Sequence, residues 1–349
     1  MTGRLPMDRR TCLHAGAAGA LLPATGLAAL AQSAARPQAA AIPPSPSAAA
    51  GLPVTPLPLL RLYIPGGAGG GWDQTGRALG AAAQSAGLAQ RVEYENKGGK
   101  GGTVGLADFV ERYSKDPAAL LIGGMVMVGA IALTQPKVTL AQVAPIARLT
   151  SDYMVLVVPA SSPFGNVRAL AAEMQRELAS VVFTGGSLGG VDHMLAGMMA
   201  RQLRLNPGAL KYEPTSSGKE AIALLAAGKA QVAISSYSEF KAEIDKKTLM
   251  PLAVSSRRAQ YGIPSLTEQN IATELANWRA VFAPGQISDA QKENLRRIVI
   301  RTTETAAWRQ SLQDNNWIGA MLQGKDFADS LEIEQAIASA VTMMLKLRT

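Results

Sequence analysis

The chain of 349 residues contains one cysteine and only two histidines. Cys12 and His14 fall in an N-terminal segment that we expect to be cleaved, so His193 would be the one histidine of the mature chain. Such a chain has no thiol nucleophile, no disulfide, no Cys/His zinc site and no multi-histidine metal site. We therefore expect no metal and no cofactor.

Charged and aromatic residues are also scarce, at 17% and 5% of the chain, whereas hydrophobic residues make up 48%. This composition supports one large or two medium globular domains and argues against a disordered chain. The basic residues are spread through the predicted helices without a basic run interleaved with aromatic residues, so we expect no nucleic-acid partner. No run after the N-terminal segment reaches the roughly 18 apolar residues of a membrane span.

The first 31 residues have the features of an export signal. The pair Arg9-Arg10 with Thr11-Cys12-Leu13 resembles the twin-arginine motif, and the small-apolar run that follows ends at the small-x-small site Ala29-Leu30-Ala31. We expect residues 1–31 to be removed, by the twin-arginine or the general route, leaving a periplasmic protein whose formal charge of +8 falls to +6. Residues 32–58, rich in Ala, Ser and Pro, predict an extended linker.

From Leu59 onward the chain repeats one order of features, an apolar run, a glycine-rich loop and a helix. Leu59–Ile64 precedes five glycines between positions 66 and 71 and a helical stretch over 73–86. A second set, beginning near Pro159, contains the loops 185–190 and 215–218. This alternation favours an α/β fold with a parallel or mixed sheet flanked by helices.

Two apolar runs that end in proline turns, Met154–Val158 and Trp278–Phe282, predict the strands by which the chain crosses into a second lobe and returns. The expected lobes are 59–157 with 283–349, and 158–282. The tail predicts two helices, Asp289–Gln313 and Asp326–Leu347.

The glycine loops are suited to anions, because a loop that opens a helix presents unpaired N–H groups at the positive end of the helix dipole. Hydroxyl groups that can donate to the same oxygens stand nearby at Thr103, Thr184, Ser187, Thr215, Ser216 and Ser217. Both nucleotide motifs fail, since no Gly-Lys pair is followed by Ser or Thr and no Gly-x-Gly segment has its third glycine in place. Several such loops together predict carboxylate binding.

An enzyme alternative comes from the segment 185–189, which matches the Gly-x-Ser-x-Gly nucleophile elbow at Ser187. The elbow needs a histidine on a later loop, whereas His193 stands six residues on, inside the predicted helix. An exported serine esterase therefore stays as the alternative.

Three further residues have two interpretations each. Asp73 is expected to cap its helix and to be able to receive a hydrogen bond from a ligand or a water. Trp72 is expected to pack against its loop or to close over a ligand. His193 is expected as a helix residue with a local hydrogen bond near the mouth of the site, and we keep it as a ligand contact.

Four segments together resemble a known family: Ile64–Asp73, Glu95–Gly105, Thr184–His193 and Tyr212–Glu220. The chain from about Leu59 resembles the extracytoplasmic receptors of tripartite tricarboxylate transporters, also called Bug receptors. The resemblance implies a two-lobed periplasmic-binding-protein fold of type II-like form with a ligand cleft between the lobes. It also implies a monomer that performs no covalent chemistry and delivers a small carboxylate to one large and one small membrane subunit.

The resemblance also implies the binding residues. One carboxylate would be held by backbone amides and ordered waters at two loops, Gly69, Gly70, Gly71, Trp72 and Asp73 in the first and Gly186, Ser187, Leu188 and Gly189 in the second. Thr103 and Ser217 would approach from neighbouring loops. Thr184 and His193 complete the expected binding residues, on the residue arguments given above.

The form of the first loop, Trp72-Asp73-Gln74, resembles the tricarboxylate receptors more than the amino-acid or nicotinate receptors of the family. The expected ligand is a tricarboxylate such as citrate, or a dicarboxylate. Lys97 and Lys100 depart from the family pattern. A ligand-sensing adaptor without transport would have the same lobes and is a third possibility.

Overall fold

The computed structural model describes residues 53–347. The expected export signal, Cys12, His14 and the first part of the expected linker lie outside these residues. Strands and helices alternate through the described part of the chain. The strands are β1 Leu57–Ile64, β2 Ala89–Asn96, β3 Ala119–Gly124, β4 Val143–Pro159, β5 Val182–Gly185, β6 Lys211–Pro214, β7 Val232–Ser236, β8 Leu249–Val254, β9 Ala276–Pro284 and β10 Gly319–Gln323. The helices are α1 Gly71–Ser85, α2 Thr103–Tyr113, α3 Met125–Thr134, α4 Val167–Arg176, α5 Val191–Gln202, α6 Gly218–Ala226, α7 Tyr237–Asp245, α8 Asp289–Thr303, α9 Ala306–Asp314 and α10 Gly324–Met344.

The 17-residue strand β4 belongs to two sheets. Its first part, Val143–Tyr153, pairs antiparallel with β9, and the stretch Ala147–Thr150 also pairs with β10. Its last part, Met154–Pro159, pairs with β7 and β8. The first sheet has the order β2-β1-β3-β9-β4, and the second continues from β4 through β7 and β5 to β6. The pairs β1–β2, β1–β3, β5–β6 and β5–β7 are parallel, as the strand–loop–helix order predicts.

The chain therefore has the expected α/β two-lobed fold, with β4 and β9 as the crossover strands. The run Met154–Val158 lies in β4 and the run Trp278–Phe282 lies in β9. The expected boundary after residue 282 leaves most of β9 in lobe 2, whereas its hydrogen bonds join it to β3 and β4 of the first sheet. The exact lobe boundaries stay a prediction.

Apolar layers cover the faces of both sheets. All six residues of β3 are buried, as is typical of a strand covered on both faces. One layer packs beside α1, α8 and α9 around Leu62, Ile122 and Trp308. A larger cluster continues through both sheets, from Phe109 in the first lobe to Phe183 in the second. A third cluster packs α6 and α7 against the strands of the second lobe.

Two boundaries differ from the sequence prediction. Strand β1 begins at Leu57, within the expected linker, because the Leu57 amide donates to the Leu88 carbonyl at 3.0 Å. The expected helix Asp289–Gln313 is two helices, since the Thr305 hydroxyl caps α9 by accepting from the Trp308 amide at 3.1 Å. Among residues 53–347, no helix has the length and apolar composition needed to cross a membrane.

Candidate functional site

A cavity of about 360 Å³ lies at the carboxyl ends of the strands, where the two lobes meet. The loops after four strands line it, together with the crossover strands. The lining residues include Gly66, Gly67 and Gly70–Trp72 after β1, Gly185–Ser187 and Gly190–Asp192 after β5, Thr215–Gly218 after β6, Ser235, Ser236 and Glu239 at the end of β7, and Met154, Asn277 and Arg279 from β4 and β9. This is the usual position of a ligand site in an α/β fold.

The glycine loops of the two lobes have the same local structure. Each contains a turn closed by one backbone hydrogen bond, from Gly70 to the Gly67 carbonyl at 3.2 Å and from Gly190 to the Ser187 carbonyl at 2.9 Å. The third residue of each turn, Gly69 or Gly189, has a positive φ of 77° or 70°, which glycine adopts without the steric cost of a Cβ. The helix starts directly after each turn, at Gly71 and at Val191.

Four helices begin at the cavity wall. Gly71 of α1, Val191 of α5 and Gly218 of α6 are first helical residues that line it, and Ser236 precedes α7. The first N–H groups of a helix have no intrahelical acceptor, and the helix dipole places partial positive charge at the same end. The cavity can therefore hold an anion without a large number of basic side chains.

One buried guanidinium, paired with a carboxylate, adds charged hydrogen-bond donors to this wall. Arg279 on β9 is 8% exposed and lines the cavity. Its Nη2 lies 2.8 Å from Asp152 Oδ2, and its Nη1 donates to Thr75 Oγ1 at 3.4 Å. Burial lowers the pKa of Arg279, and the charge of Asp152 opposes that effect. A Cβ at Gly71 would lie 2.9 Å from Arg279 Nη2, so the glycine makes room for the guanidinium beside the start of α1.

Asp73 is turned inward and holds the first loop. Its carboxylate accepts the Gly69 amide at 2.8 Å, the Arg77 Nε at 3.0 Å and the Asn96 Nδ2 at 3.0 Å. Burial would raise the pKa of Asp73, but these hydrogen bonds outweigh burial and lower it. The helix N-cap is Gly70, and Asp73 does not line the cavity. Its position indicates that it orients the loop rather than contacts a ligand.

His193 occupies the equivalent place in the second lobe. Its Nδ1 accepts the Gly189 amide at 3.2 Å, and its ring stacks on Tyr212 with 4.2 Å between centroids. Burial lowers the pKa of His193 to about 4, so the imidazole is neutral at neutral pH. Within residues 53–347 no hydrogen bond joins His193 to Ser187. The nucleophile elbow therefore lacks its base in this structure.

The cavity includes six of the thirteen residues predicted from the resemblance: Gly70, Gly71, Trp72, Gly186, Ser187 and Ser217. The other seven do not line it: Gly69, Asp73, Thr103, Thr184, Leu188, Gly189 and His193. The hydroxyl of Thr103 donates to the Lys100 carbonyl, and that of Thr184 donates to the Glu213 carbonyl. The side chain of Leu188 is exposed.

Trp72 packs against neighbouring glycines and also lines the cavity, whereas its closure over a ligand stays a prediction. Its ring covers Gly102, where a Cβ would lie 2.7 Å from Trp72 Cζ3, and its Nε1 lies beside Gly124. The indole thus packs directly against the backbone of these two glycines, where a larger residue would leave no room for it.

Sequence reasoning missed Asp192, Glu239, Asn277 and Arg279, which all line the cavity. For the last two a signal was present. Side chains two apart in a strand point to the same face, so Asn277 and Arg279 share a polar face of β9 while Trp278 points into the core. The apolar run around them concealed this alternation.

The chain was compared with known protein families and solved structures. The model of the tripartite tricarboxylate transporter family receptor, TctC, matches residues 77–336. The chain belongs to this family. By the description of that model, members of the family are receptors of tripartite tricarboxylate transporters.

Three solved structures show the same fold. A TctC solute-binding protein from Polaromonas is 22% identical, with a TM-score of 0.68 over 82% of this chain and 98% of that one. MatC from Rhodopseudomonas palustris, with bound malate, is 18% identical, with a TM-score of 0.62 over 83% of this chain and 98% of that one. Rpa4515 from R. palustris, with adipate, is 18% identical, with a TM-score of 0.69 over 82% and 97%.

Proposed function

We propose that this chain is a solute-binding receptor that captures a small carboxylate and delivers it to a tripartite transporter of one large and one small membrane subunit. The observation that carries the proposal is the cavity, where the N-termini of four helices meet beside the guanidinium of Arg279. Unpaired amides and a charge-assisted donor are the groups that bind carboxylates in proteins. The malate and adipate held by the two R. palustris proteins support the same ligand class here.

The path of the chain supports closure of the lobes around the ligand. The sheets share β4, and β9 runs beside it, so the crossover strands are the place where the lobes can bend. A ligand that contacts loops of both lobes binds the closed form better and shifts the population toward it. The transporter would then recognise the closed form of a periplasmic protein from which residues 1–31 have been removed.

We further propose that the chain acts by binding and is not an esterase. Ser187 lines the cavity, but the described part of the chain places no histidine within hydrogen-bond contact of it. A hydrolysis assay with Ser187→Ala as control tests this. Ester cleavage that disappears in the variant would favour the enzyme.

Binding is tested by thermal unfolding of the chain from Gln32 onward, first unfolded and refolded to remove carried-over ligand. The panel contains citrate, other di- and tricarboxylates, acidic amino acids and aromatic acids. A ligand that binds the folded state alone adds about 2.7 kcal/mol to the free energy of unfolding at 100 times its dissociation constant. We expect a selective rise in the unfolding midpoint with one class of carboxylate. No rise with any carboxylate would contradict the proposal.

Delivery is tested separately, in vesicles that contain the two membrane subunits. We expect uptake of the ligand only when the receptor is added. Binding without uptake would favour a sensing adaptor.

A further inference from the structure

The wall that the second lobe contributes to the cavity carries two carboxylates. Asp192 is 8% exposed, and its Oδ2 accepts the Gly186 amide at 2.6 Å. Its Oδ1 is buried and has no hydrogen-bond partner among residues 53–347. Glu239, in the first turn of α7, is exposed to the cavity and accepts the Ser235 hydroxyl at 2.8 Å. The two are close enough that the charge of Glu239 adds to burial in raising the pKa of Asp192 to about 7.

Acidic side chains already accept from some of the donors that the second lobe presents. The Gly186 amide is taken by Asp192, and the Ser216 amide is taken by Glu220 at 2.9 Å. The carboxylate of Glu239 lies against Gly218 at the start of α6, so closely that a Cβ there would collide with Glu239 Oε2. A ligand carboxylate beside Glu239 would therefore meet a like charge, and two of the loop amides on this side already have acceptors.

The opposite wall has the reverse polarity. Arg279 and the start of α1 at Gly71 stand on the side of the first lobe and β9. The charge of Glu239 extends across the cavity to Arg279, where it opposes the effect of burial on the pKa. The cavity therefore presents the guanidinium of Arg279 and helix amides on one side and the carboxylates of Asp192 and Glu239 on the other.

From this distribution of charge we infer that the ligand is an amino carboxylate, whose carboxylate faces Arg279 and the start of α1 while its ammonium group faces Glu239 on the side of the cavity that Asp192 also lines. An ammonium offers three donors and a full positive charge, which a facing carboxylate matches better than it matches a hydroxyl. The inference deepens the proposed function and rests on it. It replaces citrate, the ligand expected from the first loop, since citrate would place a further carboxylate against Glu239.

The experiment measures dissociation constants by calorimetry for matched pairs that differ in the amino group: aspartate and succinate, glutamate and glutarate, 4-aminobutyrate and butyrate. Malate and citrate complete the panel. We expect one amino member to bind at least about tenfold more tightly than its partner, as for a close charge pair in a desolvated site. Glu239→Gln, of the same shape, should remove most of that preference. Glu243→Gln, four residues on in α7 and outside the cavity lining, is the matched control and should leave it unchanged.

The outcomes separate the two proposals. Three outcomes overturn the amino-carboxylate inference and leave the receptor function standing. The first is binding of a carboxylate without preference for the amino member of its pair, and the second is equal affinity for malate and aspartate. The third is a preference for the amino member that persists in Glu239→Gln. No binding by any carboxylate overturns both. The unfolding midpoints of the unliganded variants show that each is folded.

Discussion

The clearest test of the site concerns Arg279, because the structure assigns it two separable roles. It neutralises the buried Asp152, at 2.8 Å, and it presents a guanidinium to the cavity. Arg279→Gln removes both roles, whereas the double variant Arg279→Gln with Asp152→Asn removes the ion pair as a whole and leaves net charge unchanged. The comparison therefore distinguishes a stabilising arginine from a ligand-binding one.

The expected losses of stability and of ligand affinity follow from the burial of Arg279 and Asp152. The side chains of Arg279 and Asp152 are 10% and 7% exposed, so the single variant leaves a buried carboxylate without its cation. Removing one partner of such a pair costs about 3–5 kcal/mol of the free energy of unfolding, and removing both costs much less. Loss of a charged hydrogen-bond donor to the ligand costs about 1.5–3 kcal/mol of binding free energy, which weakens the affinity by one to two orders of magnitude.

Urea unfolding and calorimetry with the bound carboxylate measure the two effects. We expect the single variant to be much less stable than the double variant and both to bind the ligand weakly. The pair Arg176 and Glu173, whose side chains are 67% and 24% exposed, supplies the control, since Glu173→Gln breaks an ion pair that solvent screens and should change stability very little. A double variant that binds with the affinity of the original chain would refute the assignment of Arg279 to the site.

Two further predictions concern the acidic residues at the helix starts. Asp73→Ala removes the acceptor of the Gly69 amide and of the Asn96 side chain, so we expect calorimetry to show weaker ligand binding while the protein stays folded. Asp73→Asn keeps one acceptor oxygen and should lose less affinity. Equal affinity in the original chain and both variants would contradict a role of Asp73 in orienting the loop. Asp192 has a folded pKa raised to about 7 by burial, above its unfolded value, so its contribution to stability is present in acid and is lost as the pH rises through 7. Urea unfolding at pH 5 and pH 8 measures the free energy of unfolding of Asp192→Asn minus that of the original chain. This difference should favour the variant more at pH 8 than at pH 5, and a difference that does not change with pH would contradict the raised pKa.

The fold was largely predictable from the order of strands, glycine loops and helices. Apolar runs such as Leu59–Ile64 and Met154–Val158 are recognisable because a buried strand needs consecutive apolar residues. The positions of the loops followed as well, since Gly69 and Gly189 mark turns that require a positive φ.

The binding residues were only partly predictable. Proximity in sequence to a glycine loop does not show which way a side chain points, and Asp73 and His193 both turn inward to accept a loop amide. Asn277 and Arg279 lie more than 200 residues from the first loop and reach the cavity only because β9 is paired beside β3 and β4.

The sequence by itself determined the α/β class, the two crossover strands and the glycine turns, because these depend on local patterns of apolar residues and glycine. Tertiary structure alone decided the electrostatics of the cavity. The burial of Arg279 against Asp152 and the unpaired oxygen of Asp192 depend on contacts between elements far apart in the chain. Charge in a protein interior is set by the groups that surround it, and these are known only once the chain has folded.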